Sequence, residues 1–295
     1  MNHASTHPEL PQGRELRVPG PGGTLSVRHF DGAGPAFVMM HGFPDNQHIY
    51  DHLIPHLVGA GRQVVTFDFL GFGESDKPAG ATYSFRQQVE DLAAVVDHLS
   101  LRRVIPVAHD SSGPAALNFA LDYPDRVDGM VLLNCLYAES ATMRHPEFIE
   151  FFASPALRAL TDAVVRSPAQ FAWILQFQRA RFQEVLADEH RERYHAFLGP
   201  LIDANFREQP SSGPAFAQMT GQLLAEEASN SARLPELASI KVPVRLVWGV
   251  NDPYLNTGVA EDMLRHLPTG TYHPVQAGHW LQIDVPVETA AAMLS

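Results

Sequence analysis

The sequence predicts an α/β fold: a mostly parallel, doubly wound sheet with a block of helices inserted into it. Three observations carry this. Short β-type runs alternate with helix-type runs through the first half of the 295 residues. The alternation stops near Tyr137 and gives way to helix-type segments as far as Leu234. It then resumes and runs to the end of the chain, so the C-terminal part completes the sheet. The expected units are a flexible N-terminal tail over 1–13, a core domain over 14–136 and 235–295, and a helical cap over 137–234. The cleft between core and cap is the expected binding site.

Taken in order, residues 15–19 and 24–30 read as a hairpin turned at Gly20-Pro21-Gly22-Gly23. Residues 36–40 are a continuous apolar run, the pattern of a strand buried on both faces. Residues 48–60 read as a helix and 63–67 as the next strand. Apolar residues at 85, 89, 92, 95, 96 and 99 follow a helical period. Then come a strand at 104–108, a helix of small residues at 114–121 and a strand at 130–133. Inside the inserted block the helical candidates are 157–166, 170–186, 189–197 and 216–228. Strands at 244–248 and 270–274 alternate with helices at 259–266 and 285–294.

Composition narrows the function. Hydrophobic residues make up 45%, enough for a large core and too much for a disordered chain. Lys and Arg number 21 against 33 Asp and Glu, a net charge of −12 spread along the chain. That balance argues against nucleic acid and against an anionic membrane surface as partners. The single Cys135 rules out an intramolecular disulfide framework and a Cys-cluster zinc site. No apolar run approaches the length of a membrane-spanning helix. The polar start, with Pro8 and Pro11, lacks the apolar stretch of a secretory signal. A soluble, cytoplasmic protein acting on a small molecule is the expectation.

The chemistry centres on Val107-Ala108-His109-Asp110-Ser111-Ser112-Gly113, which leaves a strand and enters a helix. A tight strand-to-helix elbow needs small residues two before and two after a nucleophile at its tip. With Asp110 at the tip the flanks are Ala108 and Ser112. With Ser111 they are His109 and Gly113, and His109 is bulky, so Asp110 is favoured. The alternative role for Asp110 is a plain helix N-cap. A carboxylate with an ordinary pKa of about 3.9 is ionised at neutral pH and attacks without a base. It displaces a leaving group from saturated carbon and leaves an ester, which a histidine-activated water then cleaves. A serine needs the histidine in its first step and favours acyl substrates, so Ser111 implies an esterase or lactonase instead.

Asp252 follows a strand in Trp248-Gly249-Val250-Asn251-Asp252-Pro253, and His279 follows the last strand in Ala277-Gly278-His279-Trp280. The order nucleophile, acid, histidine makes His279 the base and Asp252 its orienting acid. The backbone N–H groups of Phe43, in His41-Gly42-Phe43-Pro44, and of Ser111 are the candidate oxyanion hole.

With these segments the chain resembles the α/β-hydrolase superfamily, and within it the haloalkane dehalogenase and epoxide hydrolase branch. The segments Asp68-Phe69-Leu70-Gly71-Phe72-Gly73-Glu74-Ser75-Asp76-Lys77-Pro78 and Gly278-His279-Trp280-Leu281-Gln282 carry the same resemblance, which covers the sheet domain. It implies an aspartate nucleophile, water as second substrate, and no metal or organic cofactor. Ser111 departs from the pattern: haloalkane dehalogenases commonly hold a halide-gripping Trp there, and fluoroacetate dehalogenases an Arg. Epoxide hydrolases use two cap tyrosines on the epoxide oxygen, and the corresponding positions here are Trp173 and Ala204. Tyr137 and Tyr194 are the substitutes at other positions. Trp173 resembles the cap Trp that donates to halide in some dehalogenases, and Asn134 resembles that subgroup too. The alternative for Trp173 is the apolar face of a helix shared with Phe171, Ile174 and Leu175. The reading that follows is a dehalogenase-like hydrolase, with epoxide hydrolase as its close rival. A non-catalytic, ligand-binding receptor on the same fold is a further alternative, which the triad Asp110, Asp252 and His279 disfavours.

Three further features carry less. His48, His52 and His56 have metal-ligand spacing, but Pro55 interrupts the segment and no acidic or Cys cluster lies nearby, so a solvated helix face is expected. Residues 71–75 lack the Gly spacing and the Lys of a phosphate loop and read as a tight loop. Cys135 reads as a small buried apolar residue.

Overall fold

The computed structural model describes residues 8–184, 186 and 188–295; of the expected tail, 1–7 lie outside the described residues and 8–13 form no regular element. The N-terminal hairpin is β1 (Arg14–Gly20) and β2 (Gly23–Phe30), antiparallel with Gly20 opposite Gly23. The alternating part runs β3 (Ala33–Met40), α1 (Ile54–Gly59), β4 (Arg62–Phe67), α2 (Phe85–His98), β5 (Val104–Asp110), α3 (Gly113–Asp122) and β6 (Met130–Cys135). Helices α4 (Glu147–Ala153), α5 (Arg158–Val165), α6 (Pro168–Gln183), α7 (Asp188–Arg193), α8 (Gly199–Arg207), α9 (Gly213–Thr220) and α10 (Leu223–Arg233) follow. The chain closes with β7 (Val244–Gly249), α11 (Thr257–Leu264), β8 (Gly270–Val275), α12 (Leu281–Asp284) and α13 (Pro286–Leu294).

The eight strands lie in the order β1-β2-β4-β3-β5-β6-β7-β8. β2 meets β4 antiparallel, and every pair from β4 to β8 is parallel. The chain leaves β3 to one side for β4 and returns on its other side as β5. A crevice at the carboxyl ends of β3 and β5 is where such a reversal places a ligand. The strands around it are apolar on both faces: Val38, Met39 and Met40 in β3, and Val107 and Ala108 in β5, are fully buried.

Local sequence explains where elements begin. Ser84 caps α2, its hydroxyl accepting from Gln87 N at 3.1 Å. The helix expected over 48–60 is two pieces, a 3-10 turn at Gln47–Tyr50 and α1. Pro55 lacks the N–H a continuing helix would use, and it sits in the first turn of α1, where none is needed. The solvated His face is lost with the continuous helix. His48 Nδ1 lies 2.9 Å from Asp51, and buried His52 packs edge-on against Phe197 with ring centres 4.8 Å apart. In the inserted block α4 and α8 were not expected; Gly199-Pro200 looks like a break and instead starts α8. The candidate helix at 216–228 divides near Gly221 into α9 and α10.

An aromatic cluster fastens the inserted helices to the sheet. Phe216 on α9 stacks on Phe148 of α4 with centroids 5.5 Å apart. It also meets Phe152, Phe171 and Phe206 edge-on, and Phe43 beyond β3 at 6.0 Å. Such pairs add roughly 0.5–1.5 kcal/mol each beyond their burial.

Candidate active site

β5 ends at Asp110, whose φ of +54° is a strained conformation for a non-glycine residue. The chain turns into α3 within three residues. Ser112 ties the turn down, its hydroxyl donating toward Met40 O (3.0 Å) and His109 O (2.8 Å) and accepting from His109 N (2.9 Å). Gly113 is required because a Cβ there would collide with the carbonyl of Leu136.

The two oxygens of Asp110 have different neighbours. Oδ1 lies 3.6 Å from His279 Nε2. Oδ2 lies over Gly42, so close that a Cβ at that position would overlap it. Burial pushes the Asp110 carboxyl above its ordinary pKa, while His279 and the backbone N–H groups of Ser111 and Phe43 pull it back.

His279 donates from Nδ1 to Asp252 Oδ2 at 2.7 Å. Asp252 is saturated: Oδ1 accepts from Tyr254 N (2.9 Å) and Leu255 N (3.1 Å), and Oδ2 also accepts from Asn134 Nδ2 (3.0 Å). Burial works against its charge, but His279 and these donors outweigh it and hold the carboxyl below the usual range. Burial likewise works against a charged His279, yet Asp252, then Asp110 and Asp45, push its pKa up to about 9.

His109 is fully buried beneath this pair. Its Nε2 donates to the carbonyl of His279 at 2.9 Å, and its ring centre lies 4.6 Å from that of His279. Nδ1 stands 3.9 Å from Asp45, whose Oδ2 accepts from Trp280 Nε1 at 2.9 Å. Burial raises the Asp45 carboxyl to about 7. Asp45 follows the His-Gly-Phe-Pro segment directly, yet nothing in its spacing marks it as a neighbour of His279.

A cavity opens above Asp110 and His279, with apolar walls from Phe43, Leu136, Phe148, Leu175, Ile202 and Trp280. It encloses about 660 Å³ counting open solvent at its mouth, but the centre of a water molecule can range over only about 50 Å³ of it. The polar atoms that reach it are few. Tyr254 Oη bonds Glu147 and Gln178, and Arg179 pairs with Asp203. Tyr194, at the head of a π-helical turn (Tyr194–Leu198), lines the cavity, and its buried hydroxyl has no hydrogen-bond partner among the described residues.

The structure brings Asp110, Asp252, His279, Phe43 and Ser111 together, and places the three expected leaving-group residues elsewhere. Trp173 is on the outer side of α6, 66% exposed and stacked on Phe177. The inner side of α6 carries Phe171, Leu175 and Gln178, so the helix is apolar on two sides and its periodicity could not choose between them. Asn134 spends Nδ2 on Asp252, Gly249 O and Leu255 O, and its Oδ1 accepts from Gly249 N at 2.6 Å. It holds the acid loop in place and does not line the cavity. Tyr137 is fully buried off the cavity, its hydroxyl donating to Asn118 at 3.0 Å. Ser111, the rival nucleophile, is also fully buried, with Phe43 N donating to its hydroxyl at 3.1 Å. Residues 71–75 are a tight turn over buried Asp68 and stay off the cavity wall. Cys135 is buried, and its thiol is pushed well above its ordinary pKa by that burial. Among the described residues no group of His, Cys, Asp and Glu is placed to hold a metal, and no helix is long and apolar enough to cross a membrane.

Comparison with known proteins agrees with the sheet. Residues 35–286 match the sequence model of the alpha/beta hydrolase fold family. Haloalkane dehalogenase 2 of Mycobacterium tuberculosis is 29% identical over 282 residues, covering 90% of this chain and 88% of that protein. Epoxide hydrolase B of the same organism is 37% identical over 109 residues, 37% of this chain and 31% of its own. Among solved structures, a thermophilic esterase from Thermogutta terrifontis superposes with a TM-score of 0.72 at 21% identity, over 96% of this chain and 97% of the esterase. The chain belongs to the α/β-hydrolase fold family, on the branch that holds haloalkane dehalogenases and epoxide hydrolases.

Proposed function

We propose that the protein hydrolyses a small, largely apolar electrophile in two steps through an ester on Asp110. The observation that carries this is the Asp110 carboxyl itself, with Oδ1 turned to His279 at the floor of an apolar cavity and Oδ2 turned to the backbone at Gly42. In the first step Asp110 Oδ1 attacks carbon and the leaving group departs. At rest His279 is a poor base, because its pKa of about 9 keeps it protonated at neutral pH. Forming the ester cancels the charge on Asp110, one of the groups that holds the proton on His279. The imidazolium then gives its proton to solvent, and the neutral imidazole takes one from the attacking water. The resulting hydroxide attacks the ester carbon, and the N–H groups of Phe43 and Ser111 receive the negative charge on the ester oxygen.

The leaving atom we favour is the oxygen of an epoxide. The case for halide rests on Trp173, Asn134 and the absence of the two cap tyrosines from their usual positions; Trp173 and Asn134 point away from the cavity, and the Trp280 indole is committed to Asp45. The partnerless Tyr194 hydroxyl is a donor suited to an epoxide oxygen. Carbon–halogen hydrolysis is the second reading, supported by similarity along nearly the whole chain to a haloalkane dehalogenase.

Intact mass of His279→Ala after incubation with a mixed panel of haloalkanes and epoxides tests both. Without the base the ester accumulates. A gain of a whole epoxide, mapped to Asp110, is the expected result. A gain of an alkyl group less one hydrogen identifies a dehalogenase, and an adduct on Ser111 overturns the nucleophile.

A further inference from the structure

A second imidazole lines the same cavity, and no step above uses it. His145 sits on the loop between β6 and α4 and shares the cavity wall with Asp110 and His279. Its Nε2 lies 2.8 Å from Oε1 of Glu227 on α10. The His145 side chain is 18% exposed and the Glu227 side chain 3%. A carboxylate so deeply buried is retained with a charged partner. Two histidines that line the cavity are thus each paired with a carboxylate behind them, His279 with Asp252 and His145 with Glu227.

We propose that the His145–Glu227 pair is the acid of the first step, its imidazolium handing a proton to the oxygen that leaves carbon. This rests on the ester mechanism proposed above. Nε2 is committed to Glu227, which leaves Nδ1 as the donor. Asp110 Oδ1 forms its bond to carbon as the ring C–O bond breaks, and the departing electron pair takes the Nδ1 proton. The products are a hydroxyalkyl ester and a neutral His145. Once the ester has formed, His279 gives its resting proton to solvent. In the second step the neutral imidazole takes a proton from water, the hydroxide adds to the ester carbonyl, and the tetrahedral adduct collapses to protonated Asp110 and an alkoxide. His279 returns that proton to the alkoxide. Asp110 gives up its proton through solvent, and His145 and His279 each take one up. The sum is epoxide plus water to diol.

The surroundings of His145 suit an acid. Glu227 faces it from α10, Glu150 from α4 and Asp110 from the end of β5. Arg144 on its own loop, with Glu147 and Tyr254, lines the adjoining surface mouth. Burial works against its charge, but the three carboxylates prevail and lift its pKa above the ordinary imidazole value. Tyr194 contributes differently. Burial drives its hydroxyl well above an already high pKa, so it holds the oxygen by a hydrogen bond while the imidazolium releases the proton. His145 is also refillable, since it lines both the cavity and the surface mouth.

The competing role is structural: the pair merely pins α10 to the loop after β6. Leaving groups separate the two. In the His279→Ala background, ester formation is followed by rapid-quench mass spectrometry with 1,2-epoxyhexane and with 1-bromohexane, whose bromide departs without a proton. Adding His145→Gln is expected to slow the epoxide adduct by about 10²–10⁴-fold, the usual worth of a general acid, and to leave alkylation by the bromide within about threefold. Glu227→Gln, the second variant should the first fail to fold, is expected to move the high-pH fall of the epoxide rate to lower pH. Equal slowing with both reagents, slowing with neither, or a high-pH fall that Glu227→Gln does not move overturns the proposal while the ester mechanism stands. No epoxide adduct in the His279→Ala parent overturns the epoxide reading and this inference with it.

Discussion

Replacing Asp110 with Asn removes one negative charge 3.6 Å from His279 Nε2 with little change of shape. If the charge on Asp110 helps hold the His279 proton, the imidazole pKa must fall. Coulomb's law at an effective dielectric constant of about 20 sets a ceiling of roughly 4–5 kcal/mol for a pair at that separation. At about 1.4 kcal/mol per unit, the ceiling is about three pKa units. Burial lowers the His279 pKa and the carboxylates raise it, for a net value of about 9. Asp252, at 2.7 Å, is the larger of the raising influences. Asp110→Asn should therefore titrate His279 below about 9, by no more than that ceiling. Nitrogen-15 NMR of the imidazole, titrated on either side of that value in wild type and variant, reads the shift directly. An unchanged or higher His279 pKa in the variant refutes the idea that ester formation switches this histidine from resting cation to base.

Four other outcomes are expected. Gly42→Ala drives a Cβ into Asp110 Oδ2 and should abolish ester formation in the His279→Ala background while circular dichroism stays native. Asn134→Ala strands the buried Gly249 N–H and removes a donor from Asp252, a loss of about 2–4 kcal/mol in urea unfolding; a change under about 0.5 kcal/mol contradicts the structural role given to it. The raised pKa of His279 contributes stability that is complete below about pH 6.5 and disappears as pH rises through about 9, so the wild-type advantage over His279→Gln, on the order of 3 kcal/mol, should shrink across that interval. Trp173→Ala, on an exposed face, should leave kcat/KM within about twofold; a tenfold loss would return the indole to the leaving group.

The sheet was readable because β3, β5 and β6 are buried on both faces and announce themselves as unbroken apolar runs. The same holds for the elbow, where Gly113 leaves no room for a Cβ against Leu136 and the Ser112 hydroxyl ties the turn to Met40. The inserted helices were harder. Helix α6 is apolar on its inner and outer sides alike, so Trp173 and Leu175 looked equivalent until packing separated them. The residues that furnish the cavity were the least legible. His145 and Glu227 meet across 82 positions, and Tyr194 reaches the cavity from the first position of a π-helical turn. No short-range pattern encodes such meetings. Asp45 is the intermediate case, sitting one residue beyond a recognisable motif and reaching His279 by its charge and by contacts with Trp280 and His109.

The chain order of the fold divides inheritance in an uneven way. Asp110, Asp252, His279 and the backbone at Gly42 and Phe43 all sit just past the carboxyl ends of strands. Leu175, Gln178, Tyr194, Ile202 and Leu223 come from one uninterrupted stretch between β6 and β7. A single crossover on each side of that stretch exchanges the furnishings of the cavity and leaves Asp110, Asp252 and His279 untouched. His145 and Glu227 both lie within it, on the loop before α4 and on α10, so a chimera that replaces α10 alone separates one His–carboxylate pair while preserving the other. Domain shuffling in this scaffold is therefore free with respect to the guest and constrained at one seam.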